Sequence, residues 1–203
     1  IVEHLRNGSY ERQEALNLPS IVQAGDRIVE LGAGLGFISS LVSSLERAES
    51  ITVFEADPGL VPLIERTHAL NGVKAEVINA IVAPKAEAPT APFYVRSDFW
   101  ASSLSPEPYG YEEVIDVPVV GFADMLARHR PTMLIVDIEG GEEALFSGDL
   151  PLTGVKKVYL EIHQNVLGRV GMKRVFDFFS GRDFHYDQWH SSHGVILFSH
   201  VLR

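Results

Sequence analysis

Ten residues, Ile28 to Phe37 (Ile-Val-Glu-Leu-Gly-Ala-Gly-Leu-Gly-Phe), constrain this chain more than any other stretch. A short apolar run meets glycines at 32, 34 and 36. Phe37, Ile38, Leu41, Val42 and Leu45 then recur at helical spacing. Strand, tight glycine turn and helix form a unit in which a ligand can approach the backbone closely. The dinucleotide pattern Gly-x-Gly-x-x-Gly fails, because Phe37 stands at its sixth position. A phosphate-binding P-loop fails as well, since no Gly-Lys-Ser/Thr follows.

Two acids sharpen the ligand. Glu30 lies two residues before the first glycine, and Glu55 ends the next apolar run, Ile51–Phe54. A carboxylate at the mouth of the first strand is unwelcome beside a pyrophosphate but can accept hydrogen bonds from an ammonium group. Glu55 can accept both hydrogen bonds of a ribose diol. The pair fits a cofactor carrying an amino acid, a ribose and an adenine but no phosphate.

The remaining chain reads as alternating strands and helices, which implies a mostly parallel sheet covered on both faces. Residues 1–25 form an entry segment, helical around Tyr10–Leu16, and 26–203 form the core of one domain. Asp57-Pro58 reads as a helix start and Asn71-Gly72 as its end. Ala75–Ile81 reads as a third strand, Pro84–Pro92 as an exposed loop, and Phe93–Tyr111 as irregular. Val117–Val120 and Met133–Val136 read as strands flanking a helix that Asp124 caps. Val158–Ile162 follows a short helix from about Gly141. A helical stripe at Met172, Val175, Phe176 and Phe179 precedes an antiparallel pair, Phe184–Tyr186 and Val195–Phe198.

Composition excludes several classes. No cysteine is present, so disulfides, thiolate metal sites and cysteine nucleophiles are absent. With 17 Lys and Arg against 27 Asp and Glu, the net charge of −10 disfavours a nucleic-acid partner. No apolar run reaches the roughly 20 residues of a membrane span, and the first residues lack a signal-peptide core. A soluble, cytoplasmic protein is expected. The chain begins at Ile1 without an initiator Met, so a preceding piece is expected to be missing.

The chemistry-bearing residues cluster after two strands. Asp137 ends Met133–Val136, and Glu139 and Glu142 follow; Glu161 and His163, two apart, fall on one face of the next strand. If those strands are neighbours, five ionisable groups meet at one rim. His163, with an ordinary pKa near neutrality, is the best single candidate base. Glu143 reads as a helix N-terminal acid, and Glu139 equally as a brace for the turn. Asp137, Glu139, Glu161 and His163 could in principle hold a divalent cation, but no metal ligand is assigned. Tyr94, Phe99, Trp100, Tyr109 and Tyr111 could stack on an acceptor, and Ser102 and Ser103 could bond its hydroxyls. His190-Ser-Ser-His193 reads as an exposed loop.

Glu30-Leu-Gly-Ala-Gly-Leu-Gly36, Phe54-Glu-Ala-Asp-Pro58, Val136-Asp-Ile-Glu-Gly-Gly-Glu-Glu-Ala-Leu145 and Tyr159-Leu-Glu-Ile-His163 together resemble the FkbM family of class I S-adenosylmethionine-dependent methyltransferases. The resemblance implies a Rossmann-like α/β fold: a seven-stranded, mostly parallel sheet, last strand antiparallel, with helices on both faces. It implies S-adenosylmethionine held by Glu30, Gly32, Ala33, Gly34, Gly36, Phe37, Glu55, Ala56, Asn79, Ala80 and Asp137, with Asn79 and Ala80 against adenine. It implies methyl transfer to oxygen on a sugar, lipid-linked or natural-product acceptor, with Asp137, His163, Glu139 and Glu161 as catalytic candidates. N-methylation of a small amine, a non-catalytic cofactor-binding module and, more distantly, an NAD-dependent dehydrogenase are the alternatives.

Overall fold

A computed structural model describes residues 2–98, 101–107 and 110–202. Seven strands form the main sheet: β1 (Arg27–Leu31), β2 (Ser50–Glu55), β3 (Glu76–Asn79), β7 (Met133–Val136), β8 (Lys157–Glu161), β9 (Phe184–Tyr186) and β10 (Val195–His200). Their order is β3-β2-β1-β7-β8-β10-β9, and β10 alone runs against its neighbours β8 and β9. The expected architecture is therefore present, including the antiparallel C-terminal pair.

The central strands are buried on both faces, which is why they read as continuous apolar runs. Side-chain alternation sorts them into two cores. Val29, Leu31, Leu134, Val136, Val158 and Leu160 pack under α5 (Phe122–His129), α6 (Glu142–Leu145) and α7 (Gln164–Ser180, broken at Gly168). Ile28, Ile51, Val53, Met133, Ile135 and Tyr159 pack under α2 (Arg12–Ile21), α3 (Phe37–Ser44) and α4 (Val61–Asn71). Glu30 stands in the same row as Ile135 and Tyr159. An acid is thus built into the second core. A short α1 (Val2–Asn7) precedes α2.

At the far end of the strands from the glycine turn, Lys157 reaches under the sheet. Its Nζ donates to Asp26 Oδ2 and to the carbonyl of Ile21, both at 2.6 Å. Asp26 also accepts the Thr132 hydroxyl at 2.7 Å. These bonds hold the Asp26 carboxyl below its ordinary range against the opposing effect of burial. The entry segment is thereby tied to β8.

Several local expectations are corrected. The first long helix runs Arg12–Ile21 rather than Tyr10–Leu16, because Leu18 and Ile21 are core residues. Asp57 does not cap α4. Its backbone N–H is drawn to Glu55 and its Oδ1 accepts the N–H of Gly59, so one extra turn precedes Val61. Asp124 sits inside the first turn of α5, whose cap position is Gly121.

The largest difference concerns residues 75–111. The third strand stops at Asn79, and after Ala80 the chain leaves the main sheet. β4 (Ile81–Ala83), β5 (Thr90–Val95) and β6 (Glu113–Gly121) form a second sheet in the order β4-β6-β5. Pro92 falls in β5, an edge strand where proline's missing N–H costs no ladder bond. That edge disguises a strand as a proline-rich loop. No helix among the described residues is long and apolar enough to cross a membrane.

Candidate active site

The glycine turn is shaped by one close crossing. Gly32 has φ +80°, and a Cβ there would fall 1.7 Å from the carbonyl oxygen of Asp137. Only glycine lets the end of β1 pass the end of β7 this closely. Gly36 (φ +73°) leads into α3, with the side chains of Ile64 and His68 where its Cβ would be.

Glu55 closes the turn from the side. Its Oε2 accepts the N–H groups of Ala33 (3.0 Å) and Gly34 (3.1 Å), and its Oε1 accepts that of Asp57 (2.8 Å). A carboxylate offers about four acceptor positions, so roughly one is left for a ligand hydroxyl. Burial raises its pKa against those three amide bonds. The acid expected to face the ligand is thus a brace of the loop.

A cavity of about 330 Å³ opens above this turn, inside the roughly 300–1,000 Å³ range of small-molecule sites. Of the expected cofactor residues, Gly32, Gly34, Glu55, Ala56, Ala80 and Asp137 line it. Others are one layer removed. Ala33 is buried and gives its N–H to Glu55. Phe37 packs edge-on against Tyr10, with ring centroids 5.8 Å apart. Asn79 directs its amide at the carbonyls of Glu55 and Ala56 (2.8 and 2.9 Å) and so fixes the turn after β2. Glu30, 2% exposed, lines a small hollow behind the cavity instead.

At the rim, β7 and β8 are neighbours, and the acids converge as their spacing implies. Asp137, with its side chain 34% exposed, and Glu161 line the cavity together with Glu139. His163 does not continue β8; it occupies the cap position before α7. Its Nδ1 lies 2.8 Å from Glu142 Oε1, and its Nε2 lies 3.3 Å from Glu139 and 3.8 Å from Asp137. Asp137, Glu161 and His163 each bring one ligand-type atom within 4.8 Å of the others.

The electrostatics of the rim act on His163 in opposite directions. Burial alone would lower its pKa, but the Glu142 hydrogen bond and the charges of Glu139, Glu142 and Asp137 push it up to about 9. The shift favours the imidazolium over the neutral base. Burial raises Asp137 well above the carboxylate range, Glu139 adding to it and His163 opposing it. Glu161 is pushed up to about 9, first by burial, then by the charge of Asp137 and a hydrogen bond with Glu14. Glu139 is raised by burial, with His163 pulling the other way.

A second groove, of about 570 Å³, meets the cavity at Leu104 and Glu139. Ser97, Asp98, Ser103, Ser105 and Asn165 are among its polar lining residues. The buried Arg96 guanidinium holds its wall, donating to Ser103 Oγ (3.0 Å) and to the carbonyls of Ala101 and Ser105 (both 2.8 Å). Ser102 accepts the N–H of Arg96 and faces the cavity. Tyr94 and Tyr111 pair edge-on at 4.9 Å. Phe99, Trp100 and Tyr109 lie outside the described residues.

Other expected neighbours serve the framework. Glu143 pairs with Arg174 at 2.5 Å. His190 Nδ1 lies 2.9 Å from Asp187 in the loop before β10, and the site does not include it. Sequence reasoning missed Tyr10, Glu11 and Glu14, all of which line the cavity. Glu11, at the cap position before α2, and Glu14, in its first turn, are two acids three residues apart at a helix start, and that is the signal that was there to find.

A family model, the methyltransferase FkbM domain, matches residues 30–187. No curated protein matches the sequence. Among solved structures, the chain is similar to Streptococcus pneumoniae Sp1610, a proposed tRNA (m1A22) methyltransferase crystallised with S-adenosyl-L-methionine. That match has a TM-score of 0.56 and 11% identity, over 94% of this chain and 72% of the other. It is similar to a ribosomal protein L11 methylase from Lactobacillus delbrueckii subsp. bulgaricus (TM-score 0.51, 11% identity, 93% and 76% covered). SMU.776, a proposed methyltransferase complexed with SAH, gives 0.52 and 10% identity over 93% of this chain and 48% of its own. The structural likenesses establish the fold. With the family model covering the glycine turn, the rim acids and His163, the chain belongs to the FkbM family of S-adenosylmethionine-dependent methyltransferases.

Proposed function

We propose that the chain transfers the methyl group of S-adenosylmethionine to a hydroxyl of a sugar, lipid-linked or natural-product acceptor. The observation that carries this reading is the place of Glu139, the one carboxylate that lines both the main cavity and the polar groove. A groove with serine hydroxyls, an asparagine amide and an aspartate suits a polyhydroxylated acceptor. The −10 net charge argues against the nucleic-acid acceptors that some structural relatives are named for.

Methyl transfer is an in-line displacement, for which alignment supplies much of the rate. The acceptor oxygen attacks the methyl carbon, a C–O bond forms, and the C–S bond breaks to leave S-adenosylhomocysteine. The hydroxyl proton must go to a base. Burial raises the Glu139 carboxyl, which makes it a stronger base than an ordinary carboxylate. His163, fixed by Glu142, stands 3.3 Å from Glu139 and orients its carboxylate. Glu55 takes one ribose hydroxyl, and the cavity wall of Ala80, Ile81 and Phe93 is apolar enough to receive the adenine. The lack of cysteine suits a reducing compartment such as the cytoplasm.

The test is transfer of labelled methyl from the cofactor into matched hydroxyl and amine acceptors drawn from glycan, lipid and small-molecule fractions. Label in hydroxyl acceptors, reduced about a hundredfold by Glu139→Gln, is the expected result. Label confined to amines would replace this reading with N-methylation. Tight cofactor binding without label in any fraction would favour the non-catalytic module.

A further inference from the structure

The last turn of α4 presents a histidine to the protein interior. Ile64 and His68, four apart on one face of the helix, are both buried. An apolar side chain would suit that stripe, and an imidazole there must find a polar partner. It finds Ser39 of α3, also buried, with His68 Nε2 and Ser39 Oγ 2.9 Å apart. Ser39 in turn bonds the buried Glu30 of β1 through both its hydroxyl and its backbone N–H. Three buried polar residues from three elements thus form one chain. The His68 ring also lies where a Cβ of Gly36 would be, so the chain ends against the glycine turn.

We propose that Ser39 and His68 are positioning residues for the methyl donor: His68 fixes the Ser39 hydroxyl, and Ser39 fixes the Glu30 carboxylate beside the glycine turn. The inference rests on S-adenosylmethionine, a cation, occupying the main cavity, as in the reading above. Bond directions follow from the chemistry of the groups. An ionised carboxylate only accepts, so the Ser39 hydroxyl donates to Glu30. Its Oγ is then the acceptor for His68, which must carry its proton on Nε2 and leave Nδ1 bare. Burial lowers the His68 pKa, against the charge of Glu65, and so favours the neutral ring that this arrangement uses.

The place of Ser39 explains why both partners matter. It is the third residue of α3, whose cap position, Gly36, brings no side chain. Glu30 supplies, from a neighbouring strand, the acceptor that the helix start lacks. The next residue, Ser40, shows what a helical serine does without such partners: its hydroxyl donates to the carbonyl of Gly36, four residues earlier, at 2.6 Å. Ser39 is turned sideways instead, between His68 and Glu30. A hydroxyl that accepts one hydrogen bond donates the next more strongly, so His68 strengthens the bond to Glu30 without touching it.

The surroundings of Glu30 make that bond count. Glu55 of β2 raises its pKa, and Glu11 and Glu14 of α2, Asp137 of β7 and Tyr159 and Glu161 of β8 line the same small hollow. Among the described residues, no Lys or Arg lines it. Burial comes first in pushing Glu30 up to about 8, and the two Ser39 bonds pull the other way. A cation nearby favours the ionised form. Losing the Ser39 hydroxyl removes a bond to that form, so ionisation moves to higher pH. Cofactor binding then suffers most on the acid side of the pKa, where Glu30 must give up its proton, and least on the alkaline side. A misshapen turn would weaken binding equally on both.

The experiment is calorimetric titration of the whole chain with S-adenosylmethionine near pH 6.5 and near pH 8.5, for wild type, Ser39→Ala, His68→Leu and His68→Gln. Ser39→Ala is expected to bind about tenfold more weakly at the lower pH but only about threefold more weakly at the higher. His68→Leu should follow the same pattern with a smaller loss, about threefold at the lower pH. His68→Gln, which keeps a neutral donor, should stay within about twofold of wild type at both. Nitrogen-15 spectra of the wild-type complex, with His68 assigned through its backbone, should show a neutral ring protonated on Nε2, a readout that needs no variant to fold. Equal losses at both pH values, or no loss, would overturn the relay, as would an Nδ1–H tautomer or an imidazolium at His68. Wild-type protein that binds no S-adenosylmethionine at either pH would overturn the cofactor reading and this assignment with it.

Discussion

His163 Nδ1 and Glu142 Oε1 lie 2.8 Å apart, and the glutamate that receives this bond is 0% exposed. Glu142 also accepts the N–H of Gly140 at 3.0 Å. The imidazole is therefore locked in orientation by a carboxylate that is itself locked to the turn. Its free nitrogen, Nε2, can only face Glu139 and Asp137.

This pairing sets a pH profile. Turnover is expected to rise as Glu139 ionises, above the ordinary carboxylate range, and to fall as His163 loses its proton near pH 9. His163→Gln should remove the alkaline limb and reduce kcat about tenfold or more, with cofactor affinity changed less than about twofold. Initial rates across pH check this; an unchanged alkaline limb in the variant would refute the role of His163.

Glu55 holds three backbone N–H groups, so its removal has two consequences. Glu55→Ala should lower the melting temperature, since each orphaned buried donor costs about 1–3 kcal/mol. It should also weaken S-adenosylmethionine at least about tenfold. Calorimetry and thermal denaturation measure both. Unchanged affinity would remove Glu55 from the cofactor site.

The ligand-free protein should lose stability as pH rises. Glu11, Glu30, Glu161 and His163 all have folded pKa values above their ordinary ones. Between about pH 4.5 and 9 the folded state binds more protons than the unfolded state, so stability is greatest at the acid end of that window. The contribution of Asp26, which is lowered, is lost only below its ordinary range. Melting temperatures from pH 5 to about 9.5 should fall steadily, and a rise across this window would contradict the assignment.

Gly32→Ala tests the crossing of β1 and β7. With Asp137 backbone 1.7 Å from the new Cβ, the strands must separate. A loss of about 3 kcal/mol or more in denaturant unfolding is expected.

Lys157→Met should cost about 3–5 kcal/mol, because Asp26 is left buried without its cation. The double variant Asp26→Asn, Lys157→Met should recover much of that loss. Urea unfolding of the three proteins reads the coupling directly.

Much of the frame is legible in the sequence, because parallel strands are apolar on both faces and their helices carry clear stripes. Leu134 and Met133 are adjacent and both buried, one in each core, and a four-residue apolar run says so. The rim acids are legible too, since they follow strand ends. What is not legible depends on long-range contact. Nothing near Glu14 in sequence reports that it faces Glu30 and Glu161. His163 looks like a neutral-range base until Glu142, 21 residues earlier, is seen beneath it. Thr90–Val95 is hidden because an edge strand tolerates the prolines that mark a loop.

The departure of the chain at Ala80 has a consequence for how such an enzyme can change. On the proposed reading the cofactor cradle is carried by β1, β2 and the turn after β7, with Ile81 and Phe93 of the smaller sheet as one wall, whereas one wall of the groove, Arg96 and its neighbours, is borne between β5 and β6. The two share few side chains, Leu104 and Glu139 being those common to both spaces. Loop insertions or exchanges between Ser105 and Glu112 could therefore recut that wall of the proposed acceptor groove while Phe93, on the proposed adenine wall, stays in place. One half of the enzyme is free to drift; the other is held by its own close packing.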